Sequence, residues 1–292
     1  MDRETAMAKL TEGIAHLSTS TEWLAYLDIQ RRFHKYSFNN TLLIGMQCPT
    51  ATRVAGFKKW IEMGRMVRKG EKGIGILAPM IGRRKASGDE IVDSDEPKVI
   101  HGFGIAHVFD ISQTDGDPIP EAPRVSEITG DSPQGASNAL EAVARGLGYT
   151  VEFCPAREIM ASGEASGICE FIAKRIRVAD HLSPAGALKT LVHEIAHATL
   201  HNKRAAGVPL APGIEHDFIT RSTAELEAES VAYCVCAELG VDTSQYTFAY
   251  VTGWAGKEAV EVLRGAGSRI QHATAAILDG IAAVRGEVEV AA

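Results

Sequence analysis

The chain has 292 residues, of which 45% are hydrophobic and 23% charged, and it carries a formal net charge of −7. It contains no run of about 18 apolar residues and its polar N-terminus lacks the apolar core of a signal peptide, which argues against a membrane-spanning or secreted protein. Five cysteines without paired spacing argue against a disulfide framework, so we expect a cytoplasmic protein with room for two domains of ordinary size.

The first part of the chain predicts short helices followed by a turn and a buried strand. The stretch LTEGIAHLST has amphipathic helical spacing, and Thr21 is suited to cap a second helix, TEWLAYLDIQRRFHKY. Asn39 and Asn40 interrupt the pattern before the apolar run TLLIGMQC. A short helix in GFKKWIEMG ends at Gly64, and MVRKGEKGIGILAPM predicts a turn and then a strand.

Charge is unevenly distributed along the chain. Between Arg31 and Lys85 there are 13 lysines and arginines against two acidic residues, a net charge of +11, whereas the remainder carries −18. Basic residues alternate there with rings in RRFHKYSFNN and RVAGFKKW, the combination that holds single strands by stacking and phosphate contacts. A basic helix for duplex DNA would show fewer rings. We therefore expect this segment to bind single-stranded DNA.

The candidate DNA-contacting residues are Arg31, Arg32, Lys35, Tyr36, Asn39, Asn40, Arg53, Lys58, Lys59, Trp60, Arg65, Arg68, Lys69 and Lys72. The alternative for the large rings is that they lie in the core, which is the commoner place for aromatic residues. Lysines and arginines, unlike the rings, cannot be buried as core residues. The prediction of DNA binding therefore depends on the cations.

A polar segment divides the chain. Residues 112–135 contain four of the 11 prolines, together with several Gly, Asp and Ser, a composition typical of linkers. We therefore predict a first domain over residues 1–115, a linker over 116–135 and a second domain over 136–292. Residues 83–99 are also polar and turn-rich, and they predict a variable hairpin loop before the strand pattern HGFGIAHVFDIS.

Beyond the linker, SNALEAVARGLGYTVEFC predicts a helix and a strand, and GICEF and RIRVA predict two more strands. Ser183 and Pro184 are suited to begin a long helix, SPAGALKTLVHEIAHATLH. Two further helices are expected in STAELEAESVAYCVCAEL and over residues 256–284. Strands followed by helices, rather than regular alternation, indicate the α+β class for both domains.

The long helix carries an HExxH motif. Residues four apart on a helix project from one face, so His193 and His197 can share a metal ion while Glu194 flanks them. In such sites two neutral imidazoles hold zinc and the glutamate acts as a base towards water. The alternative is a pair of hydrogen-bonded core histidines. Apolar neighbours favour the metal site, because a buried polar trio is costly unless it is coordinated or hydrogen-bonded.

His201 continues the spacing of the two histidines but is not expected to bind the same ion. It lies about 12 Å along the helix axis from His193, whereas a zinc–nitrogen bond measures about 2 Å. The longer motif HExxHxxGxxH is also absent, because position 203 is lysine. We therefore predict His201 to be a surface residue or one that supports the ligands from the helix end.

A third ligand is expected in ELEAES on the following helix. Glu225 and Glu229 are four residues apart and share one face, whereas Glu227 points elsewhere. We predict Glu225 as the ligand and Glu229 as the carboxylate that orients a ligating imidazole, although the reverse assignment is open. The alternative of a solvated acidic face is disfavoured by the small residues between them, which let two helices approach closely.

These residues indicate amide hydrolysis at a zinc ion, with Glu194 as the general base. A donor that stabilises the transition state is also expected. His216, Tyr233 and Tyr246 are candidates, and the sequence does not choose between them.

The motifs carry a family resemblance. The run from WLAYLDIQRRFHKYSFNN to KGEKGIGILAP, with VFDISQTDG after it, resembles the N-terminal domain of ArdC-type antirestriction proteins. KTLVHEIAHATLH, ELEAESVAYCV and YVTGWAG are similar to the metallopeptidase domain of that family, which resembles zinc peptidases of the ImmA/IrrE type and, more remotely, SprT-like ones.

The resemblance implies a single-stranded-DNA-binding domain joined to a gluzincin-like domain. It implies His193, His197 and Glu225 as ligands and Glu194 as the acid/base, in a protein of plasmids, phages or other mobile elements that protects incoming DNA. Two alternatives remain open. One is a regulatory peptidase that cleaves a repressor and binds no DNA, and the other is a non-catalytic DNA protector with structural zinc.

Overall fold

The computed structural model describes residues 1–17, 19–82, 99–118, 133–160, 165–202, 221–241 and 257–286. The chain forms two compact units, the first made of Met1–Gly13 and Asn39–Ile119, the second of Ile14–Phe38 and Pro120–Ala292. Both units combine helices with small antiparallel or mixed sheets. The prediction of a two-domain α+β protein is confirmed.

Within the described ranges the helices are α1 (Arg3–His16), α2 (Ser20–Arg32), α3 (Phe38–Gln47), α4 (Phe57–Glu62), α5 (Pro133–Gly146), α6 (Ala156–Ile159), α7 (Pro184–Leu200), α8 (Arg221–Glu238) and α9 (Lys257–Arg285). The strands are β1 (Val54–Gly56), β2 (Arg65–Val67), β3 (Ile74–Gly82), β4 (Val99–Asp110), β5 (Thr114–Gly116), β6 (Thr150–Cys154), β7 (Gly167–Glu170) and β8 (Arg175–Ala179). Among these helices none has the length and apolar composition needed to cross a membrane.

The first unit contains a three-stranded antiparallel sheet in the order β1-β4-β3 and a separate β2-β5 pair. Helix α3 protects the outer edge of strand β3. The amide of Asn40 bonds the backbone N–H and C=O of Leu77, and the amide of Gln47 does the same for Gly75, at 2.8 to 3.0 Å. These bonds satisfy edge groups that would otherwise be open to pairing with another chain.

The second unit contains a three-stranded sheet in the order β6-β8-β7, in which β8 runs parallel to β6 and antiparallel to β7. The central strand β8 is buried on one face, where Ile176 and Val178 are fully covered, and carries the part-buried Arg175 and Arg177 on the other. Helix α7 packs on β7 and β8, and its Leu191, Val192 and Ile195 are also fully buried. The HExxH helix is therefore a core element of its unit.

Helix α2 belongs to the second unit. Trp23 and Leu27 are fully buried, and the indole N–H of Trp23 donates to the hydroxyl of Ser230 on α8 at 2.9 Å. The contact-defined units therefore differ from the predicted limits of 1–115 and 136–292, which remain predictions. Most of the predicted linker, 116–135, lies outside the described residues, as does the polar loop up to residue 98.

Two local predictions for the first helices are wrong. The N-cap of α2 is Thr19, whose hydroxyl accepts from the backbone of Glu22, and not Thr21. Asn39 and Asn40 do not interrupt a helix but lie in the first turn of α3. Asparagine ordinarily disfavours helix interiors, and in this case the hydrogen bonds from Asn40 to strand β3 outweigh that preference.

Candidate metal centre

Helix α7 begins as its sequence predicts. The hydroxyl of Ser183 accepts from the backbone N–H of Gly186 at 3.2 Å, and Pro184 occupies the first helical position. From that start, His193 and His197 project from one face towards α8. Helix α8 presents Glu225 to both imidazoles and Glu229, one turn further on, to His193.

Three side chains bring donor atoms to one point. The Nε2 atoms of His193 and His197 lie 3.1 Å apart, and an oxygen of Glu225 lies 3.4 and 3.7 Å from them. In a tetrahedral site with bonds of about 2.1 Å, neighbouring ligands lie roughly 3.4 Å apart. The donor triangle therefore fits a divalent ion, and all its ligand atoms lie within 4.8 Å of one another.

Glu229 contacts the other nitrogen of a histidine in this triangle. Its Oε2 lies 3.1 Å from Nδ1 of His193, and its Oε1 lies 3.5 Å from Nζ of Lys189. Burial alone would raise the pKa of Glu229, but the hydrogen bond with His193 and the charge of Lys189 bring it below its usual value. An ionised Glu229 is suited to fix the proton of His193 on Nδ1 and leave Nε2 free.

Electrostatics favour a cation at the triangle. Hydrogen bonds with His193 and then His197 hold the pKa of Glu225 below its usual range. Burial lowers the pKa of His193, but hydrogen bonds to Glu225 and Glu229 outweigh it and raise that pKa to about 9. The carboxylates thus stabilise positive charge between the helices, and a metal ion would take the place of the proton.

Glu194 lies beside the triangle in a cleft of about 560 Å³. Its side chain is only 7% exposed, and burial is the main cause that raises its pKa. The cleft is lined by residues of β7 and by both metal-facing helices. Gly167 at the start of β7 leaves room for the carboxyl, because a Cβ there would lie 2.9 Å from Oε1 of Glu194.

His201 supports His197 and is not a surface residue. It is 8% exposed, its Nδ1 lies 2.9 Å from Nδ1 of His197, and its Nε2 lies 3.1 Å from a carboxylate oxygen of Glu227. Glu227 is fully buried and accepts two hydrogen bonds from Arg269 on α9, at 2.6 and 2.9 Å. We predicted His201 to be either a surface residue or one that supports the ligands. The structure agrees with the second prediction.

The structure contradicts a DNA-contacting role for two of the candidate residues. Trp60 is fully buried, and its indole N–H donates to the carbonyl of Phe109 at 2.9 Å, so it belongs to the core. The amide of Asn40 is used in the hydrogen bonds to Leu77 that hold strand β3. Neither side chain presents a surface to a nucleic acid.

Several of the candidate cations are paired within the protein. Arg31 bonds Asp28 and Glu238 in the second unit, where Arg32 also pairs with Asp28. Arg65 donates to the backbone of the β5 region, and Arg68 pairs with Glu71 and Asp115. Lys35 and Tyr36 also belong to the second unit and make contacts of their own.

Other candidates in the first unit remain accessible. Lys58, Lys69 and Lys72 are exposed, and no described acidic residue pairs with them. Lys59 is exposed and lies 3.7 Å from Glu62, a weak surface contact. Arg53 and Asn39, the last two of the candidate DNA-contacting residues, are part-buried. Phe57, beside Lys58, is 47% exposed and offers a ring to solvent.

The transition-state donor stays unassigned. His216 and Tyr246 lie outside the described residues. Tyr233 lies on α8 but is not among the residues that line the cleft.

Sequence reasoning missed Arg269, Lys189 and Gly167. The spacing of His197 and His201 indicated a shared helix face, but Arg269 is 42 residues from Glu227 and no local pattern connects them. The close approach of Gly167 to Glu194 likewise depends on how β7 packs on α7. Only a tertiary structure brings these residues into the site.

Comparisons with known proteins divide the chain in the same order as its motifs. Residues 4–109 match the family model of the N-terminal domain of anti-restriction factor ArdC. Residues 144–238 match the model of the IrrE N-terminal-like domain, a peptidase family.

An uncharacterised protein of Bacillus anthracis is 26% identical over 275 residues, which cover 84% of this chain and 45% of that protein. The chain thus spans less than half the length of this curated relative. The metal-free crystal structure of antirestriction protein ArdC from plasmid R388 is 23% identical, with a TM-score of 0.52, and covers 85% of this chain and 86% of that one. This similarity shows a shared fold.

Proposed function

Because this chain is an ArdC-type protein, with an ArdC N-terminal domain before an IrrE-like domain, we propose that it is a zinc metallopeptidase that binds single-stranded DNA and acts in antirestriction. The observation that carries the proposal is the convergence of three ligand atoms beside the buried carboxyl of Glu194 in one cleft. The protein from plasmid R388 that shares its fold is named an antirestriction protein.

Zinc is the metal that the donor set favours. Two imidazoles and one carboxylate, arranged as three corners of a tetrahedron, are the usual ligands of catalytic zinc. His193, His197 and Glu225 would hold the ion, and Glu229 would orient His193.

Glu194 is proposed as the acid/base residue. A bound zinc ion would supply Lewis-acid activation of water and of the peptide carbonyl. The burial that raises the pKa of Glu194 brings its carboxyl closer to the range in which it can accept a proton and return it. Because Glu194 follows His193 directly in the helix, its distance from the ligands is set by the backbone.

DNA binding is proposed for the first domain, within the sequence-based limits of 1–115. The cations that support it are Lys58, Lys69 and Lys72, which are exposed and lack a described acidic partner. Phe57 could supply a stacking surface, since its ring is 47% exposed next to Lys58. Residues 116–135 are proposed as the linker to the peptidase domain, 136–292.

The peptidase proposal is tested with Glu194→Gln, and with Glu158→Gln as the control at an exposed glutamate of the same unit. We expect the first variant to bind Zn²⁺ like the wild type and to lose about 10²- to 10⁴-fold in hydrolysis of a peptide library. The control should match the wild type in both. Loss of Zn²⁺ binding would make Glu194 a ligand, and unchanged hydrolysis would show that Glu194 is not the acid/base residue. An inactive wild type would favour the non-catalytic protector.

The DNA proposal is tested by retention of a single-stranded oligonucleotide on the full chain. We expect Lys58→Ala, Lys69→Ala and Lys72→Ala together to weaken binding and to reduce its salt dependence, because each lysine releases a counterion when it meets a phosphate. Substitutions at the exposed Arg145 and Arg157 of the second unit are the control. A wild type that retains no oligonucleotide would favour the regulatory peptidase.

A further inference from the structure

A buried chain of hydrogen bonds leads away from the candidate metal centre at His197. It passes from His197 to His201 at 2.9 Å, from His201 to Glu227 at 3.1 Å, and from Glu227 to Arg269 at 2.6 Å. It connects three helices, since Glu227 lies on α8 and Arg269 on α9. Glu227 is fully buried and His201 is 8% exposed.

Once Nε2 of His197 faces a metal ion, each nitrogen and oxygen in this series of hydrogen bonds can act only as a donor or only as an acceptor. Its ring proton must then lie on Nδ1, which donates to Nδ1 of His201. That bond requires the proton of His201 to lie on Nε2, where it donates to Glu227. Glu227 accepts from His201 through one oxygen and from Arg269 through the other.

The charges of Glu227 and Arg269 support the same order of donors and acceptors. A fully buried carboxylate is costly unless it is paired and hydrogen-bonded. The guanidinium of Arg269 supplies two donors to Glu227, which keeps the carboxylate an acceptor towards His201. Packing alone would not require Arg269, which is 42 residues from Glu227 along the chain, to bond this buried carboxylate.

On this geometry we propose that His201 is a positioning residue, which fixes the tautomer and ring orientation of His197 and is itself fixed by Glu227 and Arg269. The two ligand imidazoles are thereby oriented differently, His193 by a carboxylate directly and His197 through a second imidazole. The inference rests on the proposed metal site.

The test compares His201→Leu, which removes both ring nitrogens, with His201→Gln. Glutamine has one acceptor and one donor group, so it can accept from His197 and donate to Glu227. We expect His201→Leu to weaken Zn²⁺ binding by about 10- to 100-fold in chelator competition and to change the visible spectrum of bound Co²⁺. His201→Gln should restore most of the affinity and the spectrum.

Arg269→Met tests the far end of the chain, and it serves if His201→Leu does not fold. It should weaken Zn²⁺ binding less than His201→Leu does, because Glu227 and His201 lie between Arg269 and His197. His272→Leu, at an exposed histidine of α9, is the control and should bind Zn²⁺ like the wild type.

Three outcomes overturn the inference and can be told apart. If the wild type binds Zn²⁺ and His201→Leu keeps both its affinity and its Co²⁺ spectrum, His201 has no positioning role and the proposed function stands. If the wild type binds neither ion, the proposed metal site fails and the inference fails with it. Equal losses in the Leu and Gln variants would also count against it, because they would indicate packing alone.

Discussion

At the scale of single residues, Gly167 controls how closely strand β7 approaches Glu194, the proposed acid/base residue. A Cβ there would lie 2.5 Å from Cγ2 of Thr190 and 2.9 Å from Oε1 of Glu194. We expect Gly167→Ala to displace the carboxyl or the strand, to cost about 1–3 kcal/mol of unfolding free energy, and to lower peptide hydrolysis. Gly146→Ala is the control, because a Cβ there meets nothing within 4 Å. Equal stability and activity in the two variants would contradict the prediction.

Asp110 makes the first unit sensitive to acid. Its carboxylate is almost fully buried and accepts backbone N–H groups from Thr52, Arg53 and Ser112 at 2.8 to 3.0 Å. Burial alone would raise the pKa of Asp110, but these hydrogen bonds outweigh it and lower the pKa. The stabilisation is therefore complete above the unfolded pKa of about 4 and is lost as the pH falls through the lower folded pKa.

Asp110→Asn is expected to cost about 2–3 kcal/mol at pH 7, since it removes charge-assisted hydrogen bonds and turns an amide N–H₂ towards a donor. The difference from the wild type should shrink in urea unfolding experiments at acid pH. A difference that is the same at pH 7 and at pH 3 would show that the charge of Asp110 has no part in it.

At the scale of elements, the pairing of α3 with the edge of β3 separates structural from DNA-binding roles. Asn40→Ala removes the two hydrogen bonds to Leu77 and should cost about 1–3 kcal/mol without a specific effect on DNA. Lys58→Ala should leave the unfolding free energy unchanged and weaken oligonucleotide retention. Urea unfolding and a binding titration on both variants check this, and a stable Asn40→Ala that binds DNA weakly would reverse the assignment.

Local patterns predicted the elements better than the roles of individual side chains. The HExxH spacing and the cap at Ser183 depend on one helix, so the sequence alone places His193, His197 and Glu194 on α7. Trp60 and Asn40 were predicted as DNA contacts because rings and amides are common in such surfaces. Their partners, Phe109 and Leu77, are 49 and 37 residues away, and this long-range pairing is absent from any local pattern.

At the scale of the whole molecule, the matched family regions and the compact units do not coincide. Residues 4–109 match the ArdC N-terminal domain, yet Ile14–Phe38 belongs to the unit that contains the candidate metal centre. In that unit Trp23 donates to Ser230, which directly follows Glu229 on α8. The segment thus helps to hold the helix that carries the proposed ligand Glu225.

Trp23→Ala should therefore destabilise the second unit, which holds the proposed metal site, by about 3–5 kcal/mol, because it leaves a large cavity beneath α8. Bound Zn²⁺ stabilises only the unit that holds it, so thermal unfolding with and without Zn²⁺ identifies the transition of that unit. The substitution should lower this zinc-dependent transition. Phe57→Ala, at a half-exposed ring of the first unit, should leave it unchanged. If Trp23→Ala lowered only a zinc-independent transition, α2 would stabilise the first unit instead, and the sequential domain limits would describe the folding units after all.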